Sequence, residues 1–198
     1  MQTLQRLLSP GLFLAVLAVP SAALAERHEG LLLRVTPGVS AAAASATVDD
    51  QEMSLQGGAG QLGITAGWAV APRIVLTLEL LGQAVLGPDL EIEGDVMEID
   101  DDVSWGISYA GLGASFYFQN NVYLAGSGGP LVMTLDSERI EAETDLGGAA
   151  KLAAGYEWWV GREVGLGVAL QFLAGAVPDR DDTWGVASLG LAFSATYN

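Results

Sequence analysis

The chemistry available to this chain is electrostatic rather than nucleophilic. His28 is the only histidine and cysteine is absent. A serine nucleophile would therefore have one candidate imidazole base, and disulfides and thiolate metal sites are excluded. Acidic side chains are plentiful, 24 against 8 basic ones, for a net charge of −16. That balance excludes the basic footprint a nucleic-acid-binding protein needs. The densest acidic run is Asp89-x-Glu91-x-Glu93-Gly94-Asp95, followed by Asp100, Asp101 and Asp102. Its spacing has the outline of a calcium loop. Two glutamates stand where Asp or Asn is preferred, however, and Leu90, Ile92 and Val96 alternate with the acids, so a strand pair explains the run better. No metal ligand set is assigned, and weak capture of divalent cations by clustered carboxylates is the expectation that remains. Four further charges, Arg34, Glu79, Lys151 and Glu157, stand singly in otherwise uncharged stretches.

What must position these groups is legible in the apolar pattern. Hydrophobic residues make up 51% of the 198 residues and 26 are glycine. The mean hydropathy is +0.37 despite the large negative charge. Apolar and acidic residues must therefore segregate. Residues 1–25 read as a cleaved signal peptide: Arg6 supplies the basic region, Gly11 to Val19 the short apolar run, and Ala23-Leu24-Ala25 the cleavage site. The apolar run is too short for a membrane-spanning helix, which needs ~20 residues. Residues 26–198 form one domain. No other stretch suits a spanning helix, and no cysteine is present to carry a lipid anchor.

Within residues 26–198 the periodicity is two, the signature of strands. Leu31, Leu33, Val35 and Val39 share a face; so do Leu76, Leu78 and Leu80, then Leu166, Val168, Leu170 and Phe172, and last Leu189, Leu191 and Phe193. Eight such segments are expected. Three connections are short: 71–73, 119–121 and 161–163. Four are long: 41–53, 85–103, 136–145 and 174–183. The long ones hold 19 of the 24 acids, all at one end. This is the pattern of an all-β, eight-stranded antiparallel up-and-down transmembrane β-barrel.

A soluble lipocalin-like barrel would place the apolar face inside. The opposite face here is mostly Gly, Ala, Ser, Thr and Gln, with Arg34, Glu79, Lys151 and Glu157 as its charges. That is a poor solvated surface and a suitable narrow interior, where these four form a lumen charge cluster. By strand counting, Arg34, Glu79 and Glu157 lie at similar depth, so Arg34 is expected to pair with Glu79, Glu157 or both, with Lys151 higher among polar groups. Trp68, Phe116, Phe118, Tyr156, Trp158 and Tyr197 have outward parity near the short-turn end, as an interfacial aromatic girdle requires.

With these features the chain resembles the small eight-stranded outer-membrane barrels of Gram-negative bacteria, the class of OmpX, OmpW and the OmpA membrane domain. Ser188-Leu189-Gly190-Leu191-Ala192-Phe193 with Tyr197 resembles the C-terminal signal of that class, departing from it at Ala195 and Asn198. The resemblance implies an outer-membrane location, lipid and lipopolysaccharide as surroundings, and the barrel-assembly machinery as a partner. It implies no particular activity. Some barrels of this shape are lipid A deacylases with a Ser-His-acid arrangement, but His28 falls at the periplasmic end, away from the lipid headgroup. The expectation is a non-enzymatic barrel without catalytic residues or cofactors, having a structural or surface-interaction role. The alternative is a porin-like, OmpW-like conduit for small hydrophobic molecules.

Overall fold

The structure is a computed structural model that describes residues 30–48, 51–92, 95–98, 103–137, 140–179 and 182–198. The segment read as a signal peptide, His28, Glu93 and Asp100 to Asp102 lie outside them. The strands are β1 (Leu31–Val48), β2 (Gln51–Ala71), β3 (Ile74–Leu86), β4 (Asp89–Ile92), β5 (Asp95–Glu98), β6 (Ser104–Tyr117), β7 (Val122–Ser137), β8 (Ile140–Glu143), β9 (Gly147–Trp159), β10 (Val164–Asp179) and β11 (Asp182–Tyr197). The eight long strands form one closed antiparallel barrel, sealed where β11 pairs with β1. The short strands β4, β5 and β8 raise the rim: β4 stacks on β2 above β3, β5 pairs with β4, and β8 pairs with β7 above β9.

The register fixes the barrel's shape. Cross-strand partners lead from Leu33 through Ala66, Leu78, Leu112, Gly128, Ala150, Ala174 and Ala187 to Ala43. One circuit thus climbs ten residues along β1, from Leu33 to Ala43. For eight strands this shear corresponds to a tilt of roughly 40° and a lumen that side chains can fill.

Alternation sorts the side chains. Leu76, Leu78, Leu170, Leu189 and Leu191 all point outward, each at least half exposed. Their opposite-parity neighbours Thr77, Gln171 and Ser188 are buried. Large outward apolar side chains run from Val70 and Val160 at the short-turn end up to Phe172 and Leu189. At ~3.3 Å per residue, foreshortened by the tilt, that band is about 25 Å tall, the thickness of an outer-membrane barrel's apolar belt.

Two expected long connections are strand instead. β1 and β2 stay paired out to Val48 opposite Gln51, and β10 and β11 out to Asp179 opposite Asp182. The run at 41–47 is rich in alanine, and 174–176 is Ala-Gly-Ala. Small residues on both faces there hide the period of two from a hydrophobicity pattern, although the backbone ladder continues. The other two long connections are partly strand, through β4, β5 and β8. The periplasmic turns are tight, and Asn121 adopts the left-handed conformation (φ 64°) that closes one of them.

The upper interior also departs from expectation. Above the inward-facing Gln61, Gln83 and Gln171 the lumen is not lined by small polar residues. Trp105, Ile107, Leu131, Leu173, Val177 and Val186 pack there as a buried apolar cluster. The strands at this height rise above the apolar belt. Their outer face there carries small residues such as Ala43, Gly58 and Ala84, and their inner face takes on the dry core of a water-soluble barrel.

Candidate functional site

The site expected from sequence is the lumen charge cluster, and the structure divides it into two tiers. In the lower tier, Arg34 on β1 meets Glu157 on β9, with Arg34 Nη2 3.0 Å from Glu157 Oε1. Glu157 is fully buried. Thr196 on β11 bridges the pair: its hydroxyl accepts from Arg34 Nε at 3.1 Å and donates to Glu157 Oε1 at 2.6 Å. The guanidinium also donates to the Tyr117 hydroxyl and lies 4.4 Å from the centroid of the Tyr123 ring, a cation–π distance. Space for this tier comes from glycine. A Cβ at Gly167 would stand 2.9 Å from Glu157 Cγ, and one at Gly155 would stand 2.5 Å from the Tyr123 ring.

The upper tier is built on Glu79 of β3 and Lys151 of β9, whose ammonium group bonds Glu79 Oε1. Ser127 donates to Glu79 Oε2 at 3.1 Å, and Tyr109 donates to Ser127 at 2.9 Å. Beyond it come the glutamines: Gln83 donates to Gln61 at 2.9 Å, and Gln61 to Gln171 at 3.4 Å. The apolar cluster around Trp105 closes the top.

Counting from strand ends places Arg34, Glu79 and Glu157 at one depth and leaves Lys151 without a carboxylate. Arg34 does pair with Glu157, one of its two expected partners, but Glu79 pairs with Lys151 instead. The shear is the reason. Each step round the barrel lifts the level by more than one residue, so equal counts on different strands are not equal heights. Sequence reasoning also missed Tyr117, Tyr123, Thr196, Ser127 and Tyr109. Their inward parity was available, but which polar neighbours meet depends on the shear. Side chains occupy the lumen from the lower tier up to the apolar cluster, and the cavity among the charged residues is about 20 Å³.

The expected girdle residues lie at the short-turn rim. Trp68, Phe116, Phe118, Tyr156 and Tyr197 are exposed, and Trp158 is half-buried. Phe116 and Phe118 make an edge-to-face contact at 5.0 Å. Tyr156 and Trp158 stack tilted at 6.0 Å. Of the calcium-loop candidates, Asp89 and Glu91 lie on β4 and Asp95 on β5, an antiparallel hairpin in which Asp89 opposes Glu98 and Glu91 opposes Val96. Among the described residues no three potential ligands gather at metal-binding distance.

No family profile matches the sequence, and no protein of curated function matches it. Solved structures do. Neisserial surface protein A superposes with a TM-score of 0.61 at 14% identity, over 85% of this chain and 97% of that one. The outer membrane protein OprG from Pseudomonas aeruginosa superposes with a TM-score of 0.51 at 11% identity, over 88% of this chain and 99% of that one. The fold is that of the eight-stranded outer-membrane barrels. At these identities the likeness extends to architecture alone, and the apolar belt, closed ladder and polar lower lumen are this chain's own version of it.

Proposed function

We propose that this chain is an exported, non-enzymatic outer-membrane barrel. Its lumen stays closed, and its acidic rim faces the cell surface. Residues 1–25 serve as the export signal and residues 26–198 as the barrel. The observation that carries the reading is the filled lumen: two ion pairs, a glutamine level and an apolar cluster in series, with a cavity of about 20 Å³. A transport role needs a path, and an apolar conduit needs open space along the upper lumen. Trp105, Leu131, Val177 and their neighbours occupy that level.

The rim supplies the surface role. Glu52, Asp89, Glu91, Asp136, Glu143, Asp145, Asp179 and Asp182 lie at or near the long-connection end. Clustered carboxylates there suit divalent cations, which bridge them to the phosphates of neighbouring lipopolysaccharide. Assembly through the C-terminal strand by the barrel-assembly machinery fits the same reading.

Planar-bilayer recording on the purified protein, paired with protease treatment of intact cells, tests it. Closed-lumen behaviour means no steady open-channel current, and surface exposure means cleavage within the acidic connections between the long strands at the end opposite the tight turns. Large steady currents, or protection of all those segments, would defeat the reading.

A further inference from the structure

The cavity of about 20 Å³ touches both ion pairs, walled by Arg34 of the lower and by Glu79 and Lys151 of the upper, together with Thr36, Thr65 and Thr77. Apolar layers flank it on both sides. Leu32, Val75, Tyr117 and Tyr123 form a buried cluster toward the periplasm, and the cluster around Trp105 lies toward the surface. Thr36 is 3% exposed, and its hydroxyl oxygen has no hydrogen-bond partner in the protein. Buried polar atoms are nearly always bonded, to water where not to protein.

Size and charge together select the occupant. A water molecule needs ~10–15 Å³ of accessible space and two to four polar partners, which this chamber offers and a larger molecule would exceed. Two cations, Arg34 and Lys151, balance two carboxylates, Glu79 and Glu157, so nothing here compensates an ion for losing its hydration. We propose that the chamber is a binding site for an ordered water, held by the Thr36 hydroxyl and by polar groups of the two tiers. It joins the Arg34–Glu157 and Glu79–Lys151 pairs into one network. The water gives both pairs local solvation within the lumen.

The test uses the full barrel in lipid nanodiscs with isotope-labelled threonine and water-selective nuclear Overhauser spectra. Thr36, Thr65 and Thr77 should each show a water cross-peak of the sign that marks long residence. Thr36→Val, close to isosteric, should weaken the peaks at Thr65 and Thr77 at least twofold. Ala153→Val, which intrudes on the chamber wall, should do the same and keeps the test available if Thr36→Val fails to fold. Absence of water peaks at all three threonines in the folded wild type, or peaks unchanged in a variant that folds, would overturn the proposal.

Discussion

The lower and upper parts of this barrel are opposites built on one continuous ladder. Near the tight-turn end, large apolar and aromatic side chains face out and charges face in. Near the long-connection end, small residues such as Ala43, Gly58 and Ala84 face out beside Leu86 and Leu146, and Trp105, Leu131 and Val177 are buried within. The backbone hydrogen bonds are the same in both. What differs is the solvent outside. Hydrocarbon rewards an apolar exterior and tolerates a polar interior whose groups bond one another. Above the belt, water rewards the reverse, and the interior becomes a conventional dry core. One strand can satisfy both because parity is set by position along the chain, so composition alone switches the faces.

Five variants break or sharpen this contrast. The largest effect is expected for Glu157→Ala, which strands Arg34 in the lower lumen. Breaking a buried pair costs about 3–5 kcal/mol, read as a shift in the urea midpoint in lipid vesicles. Leu131→Ala, in the upper core, should cost about 2–5 kcal/mol through a cavity; an effect below ~1 kcal/mol would mean the upper interior is not packed as a core. On the outer face, Leu78→Lys places a charge in the hydrocarbon and should cost about 2–4 kcal/mol. Gly58→Lys should cost only about 0–1 kcal/mol in the same assay, because Gly58 lies above the belt and has open space at its Cβ position. Equal costs for the two lysines would erase the boundary between the regions. The double variant Arg34→Met with Glu157→Leu, an apolar replacement of both partners, should fall close to wild type. A cost as large as that of Glu157→Ala would mean the pair is needed for more than mutual neutralisation.

The fold was largely legible in the residues. Leu166 to Phe172 and Leu189 to Tyr197 alternate cleanly because half of each strand must be apolar in a membrane, and the acids that cannot enter it marked the other end. The stretches Ala41–Thr47 and Ala174–Asp179 were not legible as strand: alanine on both faces carries no contrast in the first, and in the second Ala-Gly-Ala is followed by Val-Pro-Asp, which reads as a turn. The lumen charges were found by parity, as isolated ions on an otherwise small and neutral face. Glu157 was found as a partner of Arg34, but the Glu79–Lys151 pair was not, because pairing depends on the ten-residue shear. That quantity is a property of closure and leaves no trace in any single strand.

Closure has a temporal side as well. The hydrogen bond from Arg34 to Thr196 spans 162 residues, and the seam between β1 and β11 joins the first described strand to the last. While the C-terminus is still being made, β1 and the newest strand are both open edges, which elsewhere invite aggregation. The lower ion pair lacks its bridging hydroxyl until the penultimate strand residue arrives. Closure that depends on so distant a contact is slow and is completed only once the last strand is made. Loss of even that last strand would leave both edges exposed.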